Sequence, residues 1–108
     1  MFSKAQSQTA VLDFNIDTVY QAAISAVNSV SRMKVGSTNP SKHTIRVDIP
    51  MSAFSWGETM TISMREVSQS STEISFTSDS NLGLEFAAKS KNRKNIDRVI
   101  AAMSPFLH

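Results

Sequence analysis

The sequence predicts an α+β fold, with one antiparallel sheet and two amphipathic helices on one of its faces, in the order β-α-β-β-β-β-α. Three observations carry this reading. Apolar residues recur at intervals of three and four in one segment near each end of the chain. Between those segments they alternate strictly with polar residues, as in strands buried on one face. Turn-forming residues separate the alternating runs.

The elements follow in order. Thr9-Ala10-Val11-Leu12-Asp13-Phe14 is short, apolar and free of breakers, and reads as a first strand. Asn15 or Asp17 can cap the helix that follows, whose stripe is Tyr20, Ala23, Ile24, Val27 and Val30 and which runs to about Arg32. Met33-Lys34-Val35 is a brief strand ending at Gly36, and Ser37 to Lys42 has the composition of a turn. Ile45, Val47, Ile49 and Met51 alternate with Thr44, Arg46 and Asp48, and Pro50 should end that strand or place it at an edge. Phe54, Trp56, Met60, Ile62 and Met64 share one parity. Glu58 interrupts it directly after Gly57, which predicts a bulge or bend with an exposed acid. Ser68 to Ser71 is a turn into a strand carrying Ile74 and Phe76.

The segment from about Leu84 to Ser104 is helical by pattern. Asn92, Ile96, Val99, Ile100 and Met103 lie on its inward stripe, Leu107 continues that stripe, and Pro105 should end regular helix. Lys91, Lys94 and Arg98 fall together on the opposite face. A start at Leu84 puts these cations mid-helix, whereas a start near Ser90 crowds them at the positive end of the dipole. Leu82, Leu84 and Phe86 make an apolar loop before it, or an extension of the last strand.

The 108 residues suit a single domain over 1–108, and 41% apolar residues suffice for one core. There is no cysteine, so disulfides and thiolate chemistry are excluded. No segment has the length of a membrane span, and Met1 to Gln8 lacks the apolar core of a secretory signal, so a cytoplasmic address is expected. The net charge of +2 is unevenly placed, with residues 1–84 at −1 and residues 85–108 at +3.

This order resembles a short form of the helix-grip arrangement, akin to the TATA-binding-protein-like fold, in which a C-terminal helix lies across a curved antiparallel sheet. It also resembles a family of small uncharacterised bacterial proteins. Three features carry the likeness: Phe14-Asn15-Ile16-Asp17-Thr18-Val19-Tyr20 leading a strand into a helix, Trp56-Gly57-Glu58 opening the longest strand, and Lys91-Asn92-Arg93-Lys94-Asn95-Ile96 starting the last helix. The resemblance implies a fold and no activity. Larger helix-grip proteins hold lipids or apolar ligands between helix and sheet, and this chain is small for a comparable cavity.

Enzyme chemistry finds little purchase. His43 and His108 are the only histidines and form no metal-binding pair, and a Ser-His mechanism would have to use His43. Gly36, Gly57 and Gly83 are too scattered for a phosphate-binding loop. Asp13 and Asp17 read as helix-capping residues rather than an acid–base pair. Trp56, Met60 and Met64 are either core beneath the C-terminal helix or a soft lining for an apolar ligand.

The expectation is therefore a non-enzymatic binding module without cofactor or metal. It would take a small apolar or amphipathic ligand between the C-terminal helix and the sheet, through Trp56, Met60, Met64, Lys91, Lys94 and Arg98. The alternatives are a protein–protein interaction or oligomerising domain and, second, weak polyanion binding through the basic helix. Nucleic acid is disfavoured because no aromatic residues interleave with the cations.

Overall fold

A computed structural model describes the backbone of residues 6–50, 57–80 and 88–107, and their side chains apart from 6–7, 78–80 and 88–95. The elements are β1 (Gln6–Leu12), α1 (Ile16–Ser29), β2 (Lys34–Asn39), β3 (Thr44–Ile49), β4 (Glu58–Ser68), β5 (Ser71–Ser80) and α2 (Ala88–Met103), followed by a 3-10 turn at Ser104–Phe106. The predicted β-α-β-β-β-β-α order holds.

The five strands form one antiparallel sheet in the order β1-β5-β4-β3-β2. Strands β2 to β5 are a simple meander. β1 lies outside β5, so α1 must carry the chain from one edge of the sheet to the other.

Local chemistry explains the boundaries. Asn15 is the N-cap of α1, its Oδ1 accepting a hydrogen bond from the Thr18 amide at 2.8 Å. The helix ends at Ser29 rather than near Arg32, and Val30 is already extended. Arg32 then turns the chain with φ of 69°, in the left-handed region. Ile49 is the last residue of β3, as Pro50 requires.

β2 runs on to Asn39, beyond the expected stop at Gly36, and the turn shrinks to Pro40–His43. Ser37-Thr38-Asn39 are exposed on an edge strand, where hydrogen bonding to β3 does not need an alternating pattern. A bulge between Val35 and Ser37 shifts the register there. Gly36 sits in it with the Asp48 carboxylate where a Cβ would be.

One face of the sheet is covered. Ile45, Val47, Met60, Ile62, Met64, Ile74 and Phe76 pack beneath Val19, Tyr20, Ala23, Ala26 and Val27 of α1 and Ile96, Val99 and Met103 of α2. Both helices contribute to this one core and touch each other, α1 lying toward β2, β3 and β4 and α2 toward β5 and β1. Each large apolar side chain removed from water contributes about 1.5–3 kcal/mol before its entropy cost. The other face is a field of hydroxyls. The register places Thr9, Ser75, Ser63, Thr44 and Asn39 in one row across all five strands, with Thr9 and Ser75 hydroxyls 3.2 Å apart.

Candidate functional site beneath the C-terminal helix

The expected site faces α2 from the sheet. Met60 is completely buried and Met64 is 7% exposed, both within the core shared by sheet and helices. No water-sized space touches Met60, so a ligand reaching it must displace a neighbour. Trp56 lies outside the described residues, as does the Leu82–Phe86 loop. Lys91 and Lys94 are on the described backbone of α2, but their side chains lie outside the described set.

Arg98 is exposed, and its Nη2 donates to the Ser31 carbonyl at 3.2 Å, just beyond the C-terminal end of α1. A cation there complements the helix dipole and ties the two helices together.

Among the described residues, Glu58, Thr72 and Gln8 place polar side chains on the covered face and Tyr20 adds one from α1. Glu58, expected as an exposed acid, is 5% exposed. Gly57 precedes it with φ of 85°, a turn into β4 that only glycine makes easily. The chain turns at Gly57, but β4 pairs in register from Glu58 onward, so Glu58 shares the side of Met60 instead of facing solvent. Glu58 pairs in register with Ile49 and Ser80, at the end of the sheet where β3 and β5 finish. Thr72 is fully buried, its Oγ1 donating to the Phe14 carbonyl at 2.8 Å. Gln8 of β1 and Tyr20 of α1 each have a buried oxygen, Oε1 and Oη, with no hydrogen-bond partner. Gln8 pairs in register with Phe76, which puts it on the covered face, and β1 lies with β5 toward α2. No local sequence signal announced it, because Gln8 precedes the apolar run that marked the strand.

The opposite end of the molecule holds His43. Its backbone has φ of 52°, its Nε2 lies 3.3 Å from Asp17 Oδ1, and its ring meets Tyr20 edge-on at 5.4 Å. Asp17 is therefore a first-turn partner for His43, while Asn15 does the capping. No serine hydroxyl is hydrogen-bonded to His43 among the described residues, so this pair clasps α1 to the β2–β3 turn and lacks a nucleophile. Among the described residues no group of three His, Asp or Glu side chains could hold a metal ion. No described helix is long and apolar enough to cross a membrane.

No protein-family model matches the chain, and no curated protein matches it in sequence. Solved structures do match. Norcoclaurine synthase from Thalictrum flavum, a point mutant in complex with a transition-state analogue, superposes with a TM-score of 0.71 at 7% identity over 94% of this chain and 92% of that one. A START superfamily protein from Mycobacterium smegmatis gives 0.66 at 9% identity over 94% of each chain. The fold is a helix-grip fold. A third helix-grip match is the di-domain aromatase/cyclase BexL of the BE-7585A biosynthetic pathway, with a TM-score of 0.67 at 11% identity. The match covers 97% of this chain and 45% of BexL, so the chain spans about half the length of that protein. At such identities the shared property is the helix-grip architecture itself.

Proposed function

We propose that the chain is a non-catalytic binding module whose ligand is a small apolar or amphipathic molecule held between α2 and the sheet. The observation that carries this reading is the buried Gln8 Oε1, without a hydrogen-bond partner, on the covered face of a helix-grip fold in a strand that lies toward α2. An acceptor buried without a partner costs about 1–3 kcal/mol, which a ligand donor returns on binding. Met60 and Met64 supply adaptable apolar contacts, since an unbranched thioether repacks with little strain. Trp56, Lys91, Lys94 and Arg98 complete the proposed contact set, the cations suiting a polar headgroup. Glu58 adds a carboxyl to the same covered face. Norcoclaurine synthase, a helix-grip neighbour, has been seen in complex with dopamine and hydroxybenzaldehyde, small molecules of this amphipathic kind.

The test uses the sole tryptophan as reporter. Decanoate, decylamine and 1-anilinonaphthalene-8-sulfonate are titrated against the folded chain while Trp56 fluorescence and methionine methyl NMR signals are followed. Saturable binding with shifts at Met60 or Met64 is expected for at least one probe. Gln8→Leu should stabilise the free protein and weaken binding of a probe that carries a donor. No saturable change with any of the three probes would overturn the reading.

A further inference from the structure

The polar face of the sheet carries a concavity. The bulge at Gly36 turns the end of β2 so that Ser37 and Asn39 come into register with Arg46 and Thr44 of β3. Thr61 of β4 stands directly across from Arg46 on the other side. These five residues line most of a cavity of about 330 Å³, at the lower end of the range for small-molecule sites. It lies on the side of the sheet away from the helices and shares no residue with the proposed apolar site.

We propose that this cavity is a binding site for a small hydroxylated oxyanion, a sugar phosphate or a sugar acid. Thr38 and Ile45 complete the lining. The hydroxyls of Ser37, Thr44 and Thr61 can each donate and accept, as a polyol requires. Asn39 Oδ1 is held by the Ser41 hydroxyl at 2.8 Å and the Lys42 amide at 3.3 Å, which leaves its NH2 as a donor. Arg46 supplies the cation. Its Nε lies 3.4 Å from Asp48 Oδ1, and its terminal nitrogens remain for a planar carboxylate or a phosphate.

Asp48 does not cancel this charge, because Lys34 stands directly across from it in the register and leaves the trio net positive. No aromatic ring lines the cavity, so a neutral sugar would lack the stacking surface that usually holds one. The guanidinium and the hydroxyls must act together, which selects a ligand with an anionic group and a polyol on one short skeleton.

The experiment is an amide NMR titration of the whole chain with ribose 5-phosphate, gluconate, ribose and inorganic phosphate. Saturable shifts at Ser37, Asn39, Thr44, Arg46 and Thr61 are expected with ribose 5-phosphate or gluconate, and whichever binds tighter identifies the anionic group. Ribose and inorganic phosphate should each bind at least about tenfold more weakly than the better of the two. Arg46→Gln should lower affinity by about tenfold or more. Arg46 is 61% exposed, so the variant should fold, and its unfolding midpoint is measured alongside. Thr61→Val should bring the affinity for ribose 5-phosphate down toward that for inorganic phosphate. The proposal is overturned if no saturable shifts occur, if Arg46→Gln leaves them unchanged, or if inorganic phosphate binds as well as ribose 5-phosphate. Neither variant should alter decanoate or decylamine binding beneath α2, so the two sites stand or fall separately.

Discussion

Replacing Thr72 by valine isolates a single buried hydrogen bond. The side chain is fully buried at the start of β5, and its hydroxyl reaches the carbonyl of Phe14, at the junction between β1 and α1. Valine has almost the same shape, so packing is retained while the Phe14 carbonyl loses its donor. Leaving a buried acceptor without a partner costs about 1–3 kcal/mol. The methyl that replaces the hydroxyl gives back a fraction of this through apolar burial, about 0.8 kcal/mol at most. The Phe14–Thr72 bond is only part-buried, so water can partly solvate the abandoned carbonyl and the upper end of the range is excluded. A net loss of up to about 2 kcal/mol follows, with a central value of about 1 kcal/mol, or roughly 4–8 °C in melting temperature for a domain of this size. Urea titration followed by circular dichroism measures it, with an unchanged slope confirming that the unfolded state is unaffected. Thr72→Ser, which keeps the hydroxyl and loses a methyl, should cost no more than the valine variant. If Thr72→Val were as stable as the parent, the bond would contribute nothing and the junction would be held by packing alone.

Three further outcomes are expected. Asn15→Ala should destabilise by about 1 kcal/mol and Asn15→Asp by much less, since aspartate can also cap; equal losses would show that the Thr18 amide does not depend on the cap. Phe76→Ala removes a ring that is 1% exposed on β5, between β1 and β4, and should cost about 3–5 kcal/mol in chemical denaturation, whereas a loss below about 1 kcal/mol would mean that the core collapses into the space. At Arg32, where φ is 69°, glycine should be at least as stable as arginine in thermal melts and valine less stable by about 1–2 kcal/mol; the reverse order would contradict a left-handed backbone at that position.

The fold was legible because its strands have unequal faces. Of the alternating residues of the sequence, Ile45, Val47, Met60, Ile62, Met64, Ile74 and Phe76 are buried and Ile49 is partly buried, while Met51, Phe54 and Trp56 lie outside the described residues. Tyr20, Ala23 and Val27 of the expected stripe are buried in α1, with Ile24 and Val30 packed at its margin. The end of β2 was not legible, since Ser37-Thr38-Asn39 has turn composition and becomes strand only by pairing with β3. Glu58 was misjudged because a charge at an apolar-parity position was read as a bulge, whereas β4 pairs in register from Glu58 onward and the residue keeps the side of Met60.

Sequence spacing placed Met60 and Met64 on the covered face but did not point to Gln8. A polar residue ahead of an apolar run gives no sign that its carboxamide will be buried. The oxyanion cavity was invisible for a related reason. Arg46 and Thr61 share a face only through the β3–β4 register, and Ser37 joins them only through a bulge.

The position of β1 also sets an order of assembly. Strands β2 to β5 are neighbours in sequence and in space, so they can zip together as successive hairpins with short loops to close. β1 must find β5 across most of the chain, as the pairing of Gln8 with Phe76 requires, and that closure carries the largest entropy cost in the fold. The meander is thus expected to nucleate folding and the first strand to arrive late. Substitutions in Ile62 or Ile74 should slow refolding, while those in Ala10 or Leu12 should mainly hasten unfolding. A late first strand is also the first to leave, so the edge of β5 would be the place where the native sheet opens to solvent before the molecule as a whole unfolds.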